Sequence, residues 1–322
     1  MKRALLPVLA LMLAMMVAAC DGGSRASEDG DAAISDTGFA VDLDKKARRA
    51  ISRGWYSDFK LMFSAFMGNS AAQNNLGVQY LTGVGRERNP AEAAVWFRKS
   101  ADNNFLEAQA NLGSLYMRGD GVPIDYEMAA RYLQRAAARG QKDAQYNLGV
   151  LYQQGWGVEQ DDGEAFSQFH LAAQQGMAPA EFNVGIYFMN GIHVEQNDDK
   201  AFQWLERAAY KDLAIAQLNF GYLYEKGMGT DRDLRKAFRW YERAAKAGLG
   251  EAQFMTGMFY RSGRGVTKDC DEAVRWLKAA ADQNDRNALG ELAFMYEHGL
   301  CVPYDPGEAE EWYARAGAFS RG

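Results

Sequence analysis

Cysteine, histidine and surplus positive charge are scarce in this chain, and each scarcity removes a class of function. Its 322 residues hold three cysteines, Cys20, Cys270 and Cys301, too few for a disulfide framework even in an oxidising compartment. The three histidines, His170, His193 and His298, lie far apart with no second ligand at metal spacing, and read as surface or loop residues. With 36 Lys and Arg against 42 Asp and Glu, the formal net charge of -6 offers no basic surplus for nucleic acid or anionic lipid surfaces. Beyond the first turns of the chain no apolar run approaches the roughly 20 residues of a membrane span. Glycine pairs such as Gly83 and Gly85 lack the third glycine or the Gly-Lys-Ser/Thr of a phosphate loop, and they follow a helical pattern rather than a strand. One Ser-x-x-Lys, Ser57 to Lys60, occurs without the Ser-Asp-Asn or Lys-Thr-Gly that penicillin-recognising enzymes add to it.

The chain begins with Lys2 and Arg3, an apolar run over residues 4–17, and the small residues Val17, Ala18 and Ala19 directly before Cys20. This resembles a bacterial lipoprotein signal peptide with its lipobox. The resemblance implies that residues 1–19 are removed and that Cys20 becomes a lipidated first residue, the chain's attachment to the membrane. An ordinary secretory signal is the plainer alternative. Losing Lys2 and Arg3 takes the basic residues from 36 to 34 against 42 acidic, and the net charge from -6 to -8. Asp21 resembles an inner-membrane retention signal, which favours the inner over the outer membrane for a periplasm-facing protein. Residues 20–41 then form the lipidated cysteine and an acidic tether; the small polar stretch at 21–38 buries too little apolar area to fold, and spans roughly 20 to 25 Å as a flexible chain.

From Ala72 onward one pattern restarts every 36 residues: Ala72, Ala108, Ala144, Ala180, Ala216, Ala252 and Ala288 open seven units without an insertion. In the second unit Ala108, Leu112, Leu115, Tyr116 and Gly119 follow one face of a helix that the glycine ends. A second helix starts at a position that is Asn or Asp in every unit: Asn89, Asp125, Asp161, Asn197, Asp233, Asp269 and Asp305. Glu92, Glu164, Glu272 and Glu308 stand three residues later, as in a capping box, and Pro90 and Pro306 take the tolerated first helical position. A glycine recurs inside the first helix, at Gly77, Gly113, Gly149, Gly185, Gly221 and Gly257. Glycine there costs about 1 kcal/mol relative to alanine, so its return implies a close approach to the backbone. His193 stands where the second loop glycine is expected and hints at a locally different loop.

The run from Leu112-Gly113 through Tyr116, Gly119 and Gly121-Val122, followed by Ala129, Tyr132 and Ala136-Ala137, resembles the Sel1-like repeat, a relative of the tetratricopeptide repeat. The resemblance covers residues 72–317 and implies an all-α fold, a right-handed α-solenoid of seven 36-residue helical hairpins, used for protein–protein contact without catalysis or cofactor. Residues 42–71 are expected to supply N-terminal capping helices: Ser57, Leu61 and Ala65 lie 36 residues ahead of Ala93, Phe97 and Ala101, giving an orphan second helix over 55–68, and 42–52 add a shorter one. The last unit departs from the pattern at Ala293, Cys301 and Gly317, and 318–322 form a short tail without a full capping helix. Stacking sets Cys270 and Cys301 on one edge of adjacent units, as either a disulfide or two partly buried thiols. Cysteine-rich members of this family carry a cysteine pair in each repeat, which this chain does not.

With Ala72 and its equivalents as position 1, positions 3, 7 and 10 of the first helix lie opposite the core stripe. They nevertheless hold Tyr146, Phe182, Leu218 and Phe254 at position 3, and Ile186, Tyr222 and Met258 at position 7. Either first helices pack on one another there, or these side chains, with Trp156 from a loop, line a concave groove for a peptide or helix of another envelope protein. The expected function is an envelope lipoprotein acting as adaptor or scaffold, in an assembly such as exopolysaccharide secretion or signalling. The alternatives are an enzyme of cell-wall or β-lactam chemistry and a peptidoglycan- or glycan-binding protein.

Overall fold

The structure is a computed structural model that describes residues 57–318; Cys20, the tether and the expected helix over 42–52 lie outside them. These residues form fifteen helices and no strand. Helix α1 covers 57–66. Seven hairpins follow: α2 (Ser70–Thr82) and α3 (Pro90–Asp102), α4 (Leu106–Arg118) and α5 (Tyr126–Ala137), α6 (Lys142–Gln154) and α7 (Asp162–Gln174), α8 (Ala178–Asn190) and α9 (Asp198–Tyr210), α10 (Ala214–Lys226) and α11 (Leu234–Lys246), α12 (Gly250–Ser262) and α13 (Cys270–Asp282), α14 (Arg286–His298) and α15 (Pro306–Ala318). Each first helix packs on its own second helix, and each second helix on the next first helix, as a stack of nearest neighbours requires. Helix α1 stands in for a missing second helix, with Ala65 fully buried against Ala72 and Leu76.

All seven expected caps are made: Asn89 accepts from the amide of Glu92, Asp125 from Met128, Asp161 from Gly163 and Glu164, Asn197 from Lys200, Asp233 from Arg235 and Lys236, Asp269 from Glu272, and Asp305 from Gly307 and Glu308. The capping box does not form, because its other donor is taken. In every hairpin the cap's own N–H bonds a carbonyl in the preceding helix, from Asn89 to Tyr80 at 2.7 Å through Asp305 to Tyr296 at 2.9 Å. Glu308 instead accepts from Trp312 Nε1 at 3.1 Å. First helices start two residues before the repeated alanine and share no cap: Asn69, Gln141 and Asp285 cap by side chain, whereas Phe105, Met177, Leu213 and Leu249 do not.

The glycine inside the first helix is a notch for the second. A Cβ at Gly77 would lie 2.7 Å from Phe97, and one at Gly185 would lie 2.7 Å from Leu205, closer than carbon atoms pack. In the last hairpin Ala293 fills the notch, and Tyr313, which stands where those knobs stand, is 44% exposed.

Hairpins are spaced by a different contact. The second loop glycine abuts the start of the preceding second helix so closely that a Cβ at Gly121 would sit 2.2 Å from the carbonyl carbon of Pro90, and one at Gly265 2.1 Å from the Leu234 oxygen. His193 does not change this loop; it adopts φ 60° like the glycines it replaces and rests on Gly163, the residue that leaves room for its ring. Cys301, also at φ 60°, meets the start of α13 at the same 31-residue separation and is joined there to Cys270 by a disulfide, Cα–Cα 4.9 Å. The cysteine is therefore no break in the repeat but the same contact made covalent. The outer side of α15 is polar: exposed Glu310 stands where Phe166, Phe202, Phe238 and Val274 turn to the next hairpin.

A buried glutamine at position 2 ties five of the seven junctions; in the seventh hairpin Leu289 stands there and Arg315 donates to the Ala281 carbonyl at 3.2 Å instead. Gln73, Gln109, Gln145, Gln217 and Gln253 donate to the carbonyls of Ala65, Ala101, Ala137, Ala209 and Ala245, at 3.0 to 3.4 Å. In the fourth hairpin Glu181 replaces it, 1% exposed, with both carboxylate oxygens 2.8 Å from Lys211 Nζ.

Closing a loop of this length by a disulfide contributes about 3 kcal/mol, and a left-handed φ at a non-glycine residue costs about 1 kcal/mol. The Cys270→Ser/Cys301→Ser protein is expected to lose about 3 kcal/mol, and Cys270→Ser/Cys301→Gly about 1 kcal/mol less than that. Denaturant unfolding of both beside the oxidised wild type checks the order.

Candidate protein-docking site

The eight residues singled out as a groove do not stay together. Tyr146 is half-buried with its ring 5.7 Å from Phe169, and burial pushes its hydroxyl pKa up. Phe182 and Ile186 pack into the core of the fourth and fifth hairpins, and Phe254 and Met258 into that of the sixth and seventh. Trp156 is 39% exposed and stacks on Tyr126, at the start of the preceding second helix, with centroids 5.0 Å apart. Phe182, Ile186, Phe254 and Met258 are therefore core, Tyr146 packs within its own hairpin, and Trp156 folds back on its neighbour. Leu218 and Tyr222 alone of the eight line a shared cleft.

That cleft, of about 500 Å³, runs over the first helices of the fourth, fifth and sixth hairpins. Met189, Leu218 and Met255 supply apolar walls, Tyr222 stands 40% exposed, and Asn219, Lys226 and Glu251 add polar groups. Lys226 Nζ lies over the Tyr222 ring, 5.4 Å from its centre, a cation–π contact. Met189 and Glu225 occupy position 10, which the helical wheel sets opposite the core; Asn219 and Met255 occupy position 4, which it does not single out.

At one side of the cleft Glu225 is 7% exposed and Tyr241 1% exposed. Tyr241 Oη donates to Glu225 Oε2 at 2.8 Å, and Arg264 Nη2, from the loop of the next hairpin, donates to Oε1 at 2.8 Å. Burial alone raises the Glu225 pKa, but the bonds from Tyr241 and Arg264 outweigh it and hold the carboxylate below its ordinary value. The Tyr241 hydroxyl is pushed well up, first by burial and then by the bond to Glu225. Neither group is poised for proton transfer near neutrality; the trio is an ionic clasp between two hairpins, its carboxylate and hydroxyl buried and its guanidinium 43% exposed.

Other candidate chemistry stays dispersed. His170 is half-buried between Phe166 and Trp204 rather than at the surface, with ring centroids at 5.7 and 5.6 Å, and burial lowers its pKa. His298 packs on Phe294 with centroids 4.2 Å apart. Among the described residues no three His, Cys, Asp or Glu side chains gather to hold a metal, and no helix is long and apolar enough to cross a membrane. Ser57 and Lys60 are both exposed on α1.

Residues 70–105, 106–141, 142–177, 178–213, 214–249, 250–285 and 287–318 each match the Sel1 repeat. The chain belongs to the Sel1 repeat family. Among solved structures it is similar to a protective antigen of uropathogenic Escherichia coli strains displaying an SLR fold, at 32% identity and TM-score 0.73, over 81% of this chain and 56% of that one. The chain thus spans just over half the length of that antigen. It is also similar to a Sel1 repeat protein of Oxalobacter formigenes, at 29% identity and TM-score 0.69, over 76% of this chain and 96% of that one. No curated protein matches. Sel1-repeat proteins generally serve as non-catalytic scaffolds for protein–protein interaction, and the all-α solenoid described above is their architecture.

The clasp carries a pH signature. Because the folded pKa of Glu225 is depressed, its ionised form stabilises the fold above the unfolded carboxylate pKa, and this contribution is lost as pH falls through the folded value. Glu225→Gln is expected to lower stability by about 2 kcal/mol at pH 7, with the difference from wild type shrinking below the ordinary carboxylate range. Denaturant unfolding at pH 7 and in acid checks this; a gap that persists unchanged in acid contradicts the clasp.

Proposed function

We propose that this Sel1-repeat protein is a lipid-anchored, periplasm-facing adaptor of the bacterial envelope, without catalytic activity of its own. In this reading the cleft of hairpins four to six docks a segment of another envelope protein. The observation that carries it is the cleft itself: an exposed tyrosine, two methionines and a leucine, with charged groups at its edge. Met and Tyr side chains offer large contact area at low ordering cost, and the mixed rim fits a peptide or helix better than a small metabolite. The envelope address rests on Lys2, Arg3, the apolar run 4–17 and Val17-Ala18-Ala19-Cys20, with Asp21 favouring the inner membrane. An exopolysaccharide-secretion or signalling assembly is the setting such an adaptor suits.

Capture from solubilised envelopes of the native host, comparing wild type with Tyr222→Ala/Met255→Ala, tests the cleft. The expected result is loss of one or more specific protein partners, by about tenfold in recovered amount, with the unfolding midpoint unchanged. Identical partner profiles remove the cleft from the proposal. Cys20→Ser is expected to leave the repeats folded and move the protein from the membrane to the soluble fraction; continued membrane retention refutes the lipid anchor.

A further inference from the structure

The second helix of the fifth hairpin is out of keeping with an acidic chain. In α11 Arg235, Lys236, Arg239, Arg243 and Lys246 stand against one acid, Glu242, while the chain as a whole carries a formal charge of -6. A cleft of about 380 Å³ opens between this helix and the end of α9, lined by Tyr210, Tyr224, Lys236, Arg239, Trp240 and Arg243. No other repeat has cations at all three of the positions of Lys236, Arg239 and Arg243, and among the seven hairpins no other second helix carries an aromatic residue where Tyr210 stands, although Phe66 does so in the capping helix α1.

We propose that this cleft is a second docking surface, distinct from that formed by the first helices, and that it binds an acidic peptide segment of a partner protein. Three acids approach it. Asp212 takes Arg243 at 2.5 Å, Asp233 caps α11 and lies 3.9 Å from Lys236, and Glu206 acts on the Tyr224 hydroxyl. They leave Arg239 without an acidic partner among the described residues and Lys236 with a long, weak one. Tyr210, 62% exposed, supplies apolar surface beside these cations. Peptide carboxylates pair with Arg239 and Lys236 while an apolar or aromatic side chain of the same segment covers Tyr210.

The ring geometry argues against a sugar. Stacking on a sugar needs open aromatic faces, yet Trp240 is met by the Tyr210 ring at 5.2 Å and 90°, by Phe220 at 5.1 Å and by the Arg243 guanidinium at 5.3 Å, and Tyr224 is buried, which leaves Tyr210 as the one exposed ring of the cleft. A peptide fits better than a bilayer surface, because the exposed cations and Tyr210 line a shallow, open cleft between two helices, which a chain can lie along, and not a flat face. A short acidic chain enters such a cleft, and the protein-binding habit of the family agrees with it.

The test uses the whole purified chain and a fluorescein-labelled Glu-Glu-Phe-Glu-Glu-Phe peptide, read by anisotropy, with its Gln analogue, polygalacturonate and phosphatidylglycerol vesicles as parallel arms. The acidic peptide is expected to bind, the Gln analogue about tenfold more weakly, and affinity to fall as salt rises. Lys236→Glu/Arg239→Glu is expected to weaken binding at least about tenfold with the unfolding midpoint unchanged, and Arg239→Gln about threefold. Tyr222→Ala should bind the peptide as wild type does, so failure here and failure of the first-helix cleft are separate results. No binding by wild type, equal binding of the Gln analogue, undiminished binding by both variants, or preference for polygalacturonate or vesicles overturns the proposal.

Discussion

The hairpin depends on one contact, the thrust of a second-helix side chain against a bare Cα in the first helix. Phe97, Leu133, Phe169, Leu205, Tyr241 and Leu277 each fill the space that a Cβ on Gly77, Gly113, Gly149, Gly185, Gly221 or Gly257 would need, at 2.7 to 2.9 Å. Alanine would gain about 1 kcal/mol in helix propensity, but overpacking a rigid site costs about 1–3 kcal/mol, so the notch wins. Once the two axes are this close, the remaining lengths follow: the connecting loop must be short, the cap must sit where its amide can return to the first helix, and the unit cannot gain or lose a residue. The seventh hairpin shows the alternative, since Ala293 occupies the notch and Tyr313 is displaced outward while keeping a 2.7 Å bond to Glu297, the bond that Tyr241 and Glu225 make in the core.

Much of this was legible because backbone constraints leave residue signatures at a fixed phase. Asn or Asp at the cap, glycine at the helix end and alanine on the buried stripe each answer a local need that few residues meet, and the structure uses each as expected. Signals that several residue types can satisfy were harder to read. The turn between hairpins needs a left-handed residue and takes Gly68, Asn104, Gly140, Gly176, Asp212, Gly248 and Asn284, a periodic position disguised by its mixed identities. The glutamine tie was missed for another reason: a polar residue next to the repeated alanine looks like surface until the open carbonyls at the preceding helix end are counted.

The residues of the first-helix cleft were the least legible, and the reason is geometric. A helical wheel assigns positions relative to a single partner helix, whereas a first helix here meets its own second helix, the preceding second helix and the neighbouring first helices. Those extra contacts half-bury Phe182, Phe254 and Tyr146 at position 3 together with Ile186 and Met258 at position 7, while Leu218, Asn219, Tyr222 and Met255 border the cleft. Only a stack of known spacing separates the two sets. Similarly, Glu225 looks like a solvated charge on one helix, and becomes the buried carboxylate of a clasp only when the Arg264 loop of the following hairpin closes over it.

Two of the places where the copies differ, the first-helix cleft and the basic row, meet in one hairpin. Hairpin five carries Tyr222 and Glu225 on α10 and the basic row on α11, and Tyr241 of α11 fills the Gly221 notch with its ring while bonding Glu225 beside the first cleft. Trp240, the residue before it, packs on Phe220 of α10 and borders the second cleft. Consecutive residues on one helix therefore face two surfaces through a close-packed pair with no slack between them. In a scaffold this arrangement favours simultaneous occupancy: a segment that orders one side stiffens the same two helices that present the other, and the ordering cost of the second segment falls. On the two docking surfaces proposed above, a repeat that otherwise only continues the stack becomes its point of attachment.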